Sequence, residues 1–90
     1  MADHKSALKR IRSSEKKRQR NRVVRSRTRT EVKKARAALE GGDVNNAVLA
    51  TREAIRELDK AVTKGVLHRN NAARRKSRLM KRLAQLQAQH

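Results

Sequence analysis

The sequence contains no cysteine, no proline and no aromatic residue, and only three glycines and eight acids stand against twenty-six Lys and Arg. Each shortage removes a class of explanation. Without cysteine there is neither a disulfide framework nor a thiolate metal site. Without Trp, Tyr or Phe no ring is available for a base to stack on, which excludes the mode used by single-strand binders and RNA-recognition motifs. Without proline, only Gly41, Gly42 and Gly65 can interrupt a helix. Long apolar runs are missing too. No stretch approaches the ~20 apolar residues of a spanning helix, and the N-terminus lacks the apolar run of a signal peptide, so the expected compartment is the cytoplasm. Only seventeen of the ninety residues are Leu, Ile or Val. That share lies at the edge of the composition associated with disorder and leaves room for one small domain with a modest core.

Reaction chemistry is equally unsupported. His4, His68 and His90 are scattered, with no second His or Cys at helical spacing to complete a site, so neither metal nor cofactor is expected. The acids are too dispersed for an acid/base pair, and Glu53 with Glu57 reads as surface patterning. Ser13, Ser14 and Ser77 have no evident base partner, and neither glycine turn resembles a phosphate cradle. The sequence predicts a protein that is not an enzyme.

What remains is positive charge, +18 in all, and it is unevenly placed. Residues 1–36 carry fifteen basic and three acidic groups, residues 37–63 three and five, and residues 64–90 eight and none. Two basic arms thus flank a nearly neutral centre. Such a balance speaks about partners, and nucleic acid is the first candidate. A membrane surface is the other common polyanion, but an interfacial helix needs a broad apolar face that the basic centre does not have, so no membrane is expected.

No Gly or Pro interrupts residues 5–40, and Lys, Arg, Ala, Leu, Gln and Glu dominate them, which predicts one long helix over about 5–40. Met1 to His4 reads as a short cap, with Asp3 or Ser6 able to accept from the first free N–H groups, and Gly41 as the left-handed residue that closes the helix. At ~1.5 Å per residue such a helix is roughly 50 Å long, more than a domain of this size is wide. Val24, Thr28, Val32, Ala35 and Leu39 share one strip at spacings of three and four, so that half can bury itself. Traced backward, the strip meets Asn21, Lys17, Ser14 and Arg10, whereas Ala7, Leu8 and Ile11 sit on another side. The N-terminal half therefore projects. Its centre, Arg12 to Arg22, has no apolar residue, and its cations crowd at i, i+3 and i, i+4, where they repel unless a polyanion neutralises them. Arg12, Lys16, Lys17, Arg18, Arg20, Arg22, Arg25 and Arg27 are accordingly candidate phosphate contacts.

A second helix is expected over about 44–63, capped by Asp43. Val44, Ala47, Val48, Thr51, Ala54, Ile55, Leu58, Ala61 and Val62 form its apolar face, and the pairs Glu53 with Arg56 and Glu57 with Lys60 its solvated one. Gly65 supplies a second left-handed stop. A third helix follows over about 68–87, with Asn70 as a possible cap. His68, Ala72, Leu79, Leu83 and Leu86 lie on one side with Lys76 intruding, and Asn70, Arg74, Ser77, Arg78 and Lys81 on the other. No alternating run reads as a strand. The expected fold is all-α, a three-helix bundle with an extended, very basic first helix, forming a single domain over 1–90.

Asn21 to Arg29 has the look of a basic-zipper contact region, but the helix stops at Gly41-Gly42 with no sustained heptads, so neither a zipper nor a homo-oligomer is expected. A histone-like nucleoid DNA-binding protein is the alternative reading, distinguished by equal affinity for duplex DNA and structured RNA. The opening residues Met1 to Arg12 (MADHKSALKRIR) and the later block His68 to Leu79 (HRNNAARRKSRL) resemble the S-twenty family of bacterial small-subunit ribosomal proteins. The likeness extends over length, the Gly-Gly break and the Lys64-Gly65 turn. The resemblance implies a small-subunit constituent that binds 16S-type rRNA directly and early in assembly, holding the 5′ domain and the long helix near the RNA's 3′ end. Carried over, Lys5, Ser6, Lys9 and Arg10 of the opener, and Asn70, Arg74, Arg75, Lys76, Ser77 and Arg78 of the second block, are the implied RNA contacts. Asp3 departs from the Asn expected there.

Overall fold

The computed structural model describes the backbone of residues 2–89 and the side chains of residues 7–89. Three helices, α1 (Ala2–Gly41), α2 (Val44–Thr63) and α3 (Arg69–Gln89), account for almost all of it, and among the described residues there is no strand. The all-α three-helix bundle expected from the sequence is the fold observed. α1 begins at Ala2, ahead of the predicted start near Lys5, so Asp3 and Ser6 stand within the helix and not before it. Nothing in Ala2 to His4 breaks a helix, which is why it runs through.

α1 closes differently from the expectation. Gly41 is still helical, and the left-handed residue is its neighbour Gly42, at φ +78°. Of two adjacent glycines either could take that conformation, and the one that does sits next to Asp43, whose extended backbone (φ −82°, ψ 106°) opens α2. The Asp43 carboxylate accepts from the N–H of Asn46 at 3.4 Å, a loose N-cap. At the other end of α2, the N–H of Gly65 (φ +73°) donates to the Val62 carbonyl, and that of Val66 to the Ala61 carbonyl, both at 2.9 Å. This paired pattern is the Schellman motif, which satisfies the last free carbonyls of the helix. Leu67 then leans on the core.

His68 corrects its predicted position. It is exposed and lies just before α3, and its Nδ1 accepts from the N–H of Asn70 at 3.1 Å. The imidazole thus does the capping for which Asn70 was the expected residue, and His68 is not on the face shared by Ala72, Leu79, Leu83 and Leu86. α3 thus begins at Arg69, one residue later than the periodicity suggests, with His68 as its cap.

The core follows the apolar strips. Val24, Thr28, Val32, Ala35, Ala38 and Leu39 of α1 are buried, as are Ala47, Thr51, Ala54, Leu58 and Ala61 of α2 and Ala72, Leu79, Leu83 and Leu86 of α3. Leu58, fully buried, is the largest side chain at the centre. Thr28 tolerates burial because its hydroxyl donates to the Val24 carbonyl at 2.8 Å. The Thr51 hydroxyl, equally buried, has no protein partner. With so many alanines in the strips, α1 and α2 lie close along their shared length, while α3 docks mainly on α2 and touches α1 little. The result is an elongated body of 69 × 20 × 13 Å.

Candidate nucleic-acid interface

Every described side chain from Ala7 to Arg20 is exposed. Among the described side chains the first buried residue of α1 is Val24, so from Ala7 to Arg20 no protein packs against the helix. Lys9, Arg10, Arg12, Lys16, Lys17, Arg18 and Arg20 all stand here, around the whole circumference of the rod. Two shallow hollows follow one side, bordered by Lys9, Arg10, Ser13, Ser14 and Lys17, then by Ser13, Lys16, Lys17 and Arg20. Leu8 and Ile11, half and more exposed, occupy the face away from the buried strip. The side chains of Lys5 and Ser6 lie outside the described side chains. Arg22, just before the buried Val24, and Arg25 and Arg27, between Val24 and the buried Thr28, continue the series and are exposed.

Among the described residues the whole of α1 holds a single ion pair, Lys34 with Glu31 at 3.5 Å. On α2, Glu53 pairs with Arg56 (4.0 Å) on the exposed face, where such a pair contributes little, and the partly covered Glu57 pairs with Lys60 (3.7 Å). The cations of the rod are thus uncompensated, and like charges at i, i+3 and i, i+4 weaken the helix they sit on.

The second block is distributed over α3. Asn70, Arg74, Ser77, Arg78 and Lys81 are exposed. Arg75 is half-buried, its Nε donating to the Asn71 side-chain oxygen at 2.9 Å. The intrusion of Lys76 into the apolar side is resolved across the bundle: its ammonium lies 2.8 Å from the Asp59 carboxylate of α2. Lys76 therefore spends one of its three N–H donors inside the protein and keeps two for other work.

Because α3 touches α1 so little, an open groove of about 690 Å³ remains between them. Val32, Arg36 and Glu40 form the α1 side, and Arg74, Arg75, Arg78, Leu79, Lys81 and Arg82 the α3 side. Six cations thus surround one acid over an apolar floor. Arg36 and Arg82 are absent from the sequence-predicted contacts. The wheel position of Arg36 was readable, but that it faces Arg78 and Arg82 depends on where α3 docks.

This geometry suits a polyanion and little else. None of the hollows is an enclosed pocket with a convergent set of polar groups, and among the described residues no cluster of His, Cys, Asp and Glu could hold a metal ion. Among the described residues no helix is long and apolar enough to cross a membrane. An all-helical body with an unpaired cationic rod and a cationic groove defines a structural nucleic-acid-associated protein.

Comparison with known proteins gives the family. The model of "Ribosomal protein S20" matches residues 2–84. A relative from Thermobifida fusca, named small ribosomal subunit protein bS20, is 54% identical over 87 residues, covering 97% of this chain and 95% of its own. Proteins of the same name from Streptomyces griseus (51% over 88 residues, 98% and 100% covered) and Corynebacterium efficiens (56% over 79 residues, 88% and 91% covered) are similar. The chain belongs to the ribosomal protein S20 family, as its two sequence blocks suggested. Members of this family are structural constituents of the ribosome, in the cytoplasm, and not enzymes.

Proposed function

We propose that this chain, acting as a single domain, binds 16S-type rRNA of the small ribosomal subunit directly and stabilises the RNA's tertiary structure during assembly. The observation that carries this reading is the bare rod: from Ala7 to Arg20 every side chain is exposed on a helix whose cations face one another rather than acids. Ribose-phosphate supplies both what the rod lacks, a packing surface and negative charge. Lys5, Ser6, Lys9, Arg10, Arg12, Lys16, Lys17, Arg18, Arg20, Arg22, Arg25 and Arg27 form the α1 part of the interface, and Asn70, Arg74, Arg75, Lys76, Ser77, Arg78 and Lys81 the α3 part. Cations supply most of the affinity, while serine hydroxyls and asparagine amides position phosphates and 2′-OH groups. With no aromatic side chain, readout is by backbone and shape.

A bare rod tip and a basic bundle on one body 69 Å long support a bridging role, in which the 5′ domain and the long helix near the 3′ end are held together. Chemical footprinting of small-subunit rRNA with and without the protein tests this reading: protection in both regions is expected, and protection in one removes the bridge. Each phosphate contacted contributes about 0.7 to 0.9 to the log–log salt slope, so eight contacts lower the affinity by roughly three to four decades between 50 and 200 mM salt. An affinity nearly independent of salt rejects a phosphate-led interface. Equal affinity for duplex DNA favours a nucleoid role instead.

A further inference from the structure

Arginine and lysine are not mixed evenly on α1. At ~100° per residue, Arg18, Arg22, Arg25, Arg29 and Arg36 fall within about 30° of a single line, at spacings of four, three, four and seven. No lysine lies in that strip. Lys33 borders the strip, Lys9, Lys16 and Lys34 fall on the opposite flank, and Glu31, the one acid between Arg18 and Arg36, is also turned well away from it. All five arginines are exposed, and among the described residues none takes part in an ion pair. The line ends at Arg36, which is a wall of the groove between α1 and α3. On the facing wall Arg75, Arg78 and Arg82, spaced by three and four, continue the arginine surface.

We infer that these residues form one continuous track for the sugar-phosphate backbone of a single RNA strand, entering along the rod at Arg18 and passing into the groove at Arg36 and Arg82. The inference rests on the RNA-binding reading above and adds a path to it. Arg18 to Arg36 spans roughly 27 Å at ~1.5 Å per residue. Neighbouring arginines at i, i+3 and i, i+4 stand about 5–6 Å apart, a step comparable to that between successive phosphates. A planar guanidinium pairs bidentately with a phosphate diester where an ammonium makes a point contact, so an all-arginine line fixes a strand's course and not only its proximity. The groove adds a second wall, which holds the backbone from two sides and excludes a whole duplex from its floor. Glu40, at the far end of the α1 wall, marks where the track stops being purely cationic.

The absence of cysteine makes the path directly testable. Ser14→Cys marks the flank of the rod beside the strip, and Gln85→Cys the α3 end of the groove. Both positions are exposed and neither is in the track. Each single-cysteine protein, carrying a tethered iron chelate, is reconstituted with small-subunit rRNA and the hydroxyl-radical cuts are mapped. Cuts from the two positions within one short RNA segment, no more than about ten nucleotides apart, are expected. In parallel, the triple variant Arg29→Gln, Arg36→Gln, Arg82→Gln lowers the log–log salt slope of RNA binding by about 2 to 3, at ~0.7 to 0.9 per lost phosphate contact. Cuts far apart in the RNA sequence, or an unchanged slope, overturn the track. If the unsubstituted protein still binds rRNA in a salt-dependent manner, that result leaves the RNA-binding reading standing. A failure of the unsubstituted protein to bind overturns both.

Discussion

The two halves of α1 have the same backbone conformation and opposite reasons for keeping it. From Val24 to Leu39 the helix turns a buried strip onto α2 and α3, and its stability comes from that burial. From Ala7 to Arg20 nothing is buried, and the same conformation holds charges that repel one another. Helix propensity is similar in both stretches, so propensity does not separate them. What separates them is the presence of apolar residues every three or four positions. A helix without such residues is a surface waiting for a partner, and its composition names the partner's charge.

Five substitutions would break or sharpen that contrast. The largest effect belongs to the bundle: Leu58→Ala, at the fully buried centre, lowers the unfolding free energy by about 2–5 kcal/mol, seen as a drop in the melting temperature. A loss under 1 kcal/mol places the centre of the core elsewhere. Next come the paired glycines. Gly42→Ala puts a Cβ at φ +78° and costs about 1–2 kcal/mol, whereas Gly41→Ala, in helical conformation with open space around it, stabilises by up to about 1 kcal/mol. Equal effects of opposite order would return the left-handed position to Gly41. Third, Thr51→Val removes a buried hydroxyl with no protein partner and keeps the shape, so denaturant melts should show no loss and a gain of up to about 1 kcal/mol. A marked loss would reveal a hidden partner for that oxygen. The smallest effect on stability is at Arg18→Ala, in the bare half, which leaves the melting temperature within the range of about 0.5 kcal/mol while weakening RNA binding. A larger thermal effect there than at Leu58 would invert the contrast.

Much of this was readable from the chain. The strip Val24, Thr28, Val32, Ala35, Leu39 and the face of α2 were set by spacing alone, because residues three and four apart must share a side. The end of α2 was marked by Gly65, the only glycine near it. Sequence could not choose between Gly41 and Gly42, since both are permitted at positive φ and the register of the following cap decides. His68 looked like a core-edge residue because its spacing to Ala72 is helical, but the helix begins after it and its ring nitrogen serves the backbone. Lys76 looked like an anomaly on an apolar side because its partner, Asp59, is on another helix. The cationic groove was invisible for the same reason: Arg36 and Arg82 are far apart in sequence, and only the shallow docking of α3 brings them to one opening. On the rod, by contrast, no tertiary arrangement intervenes, so its exposed cations could be named one by one.

The uninterrupted course of α1 has a mechanical consequence. Between Ala2 and Glu40 there is no glycine or proline at which the rod could swivel, so its tip and the bundle move as one lever. Leu8 stands roughly 24 Å from Val24 at ~1.5 Å per residue, and a tilt of about 5° at the bundle displaces it by about 2 Å. Whatever first seats the globular end thereby aims the far end, and an error in one cannot be absorbed by bending before the other.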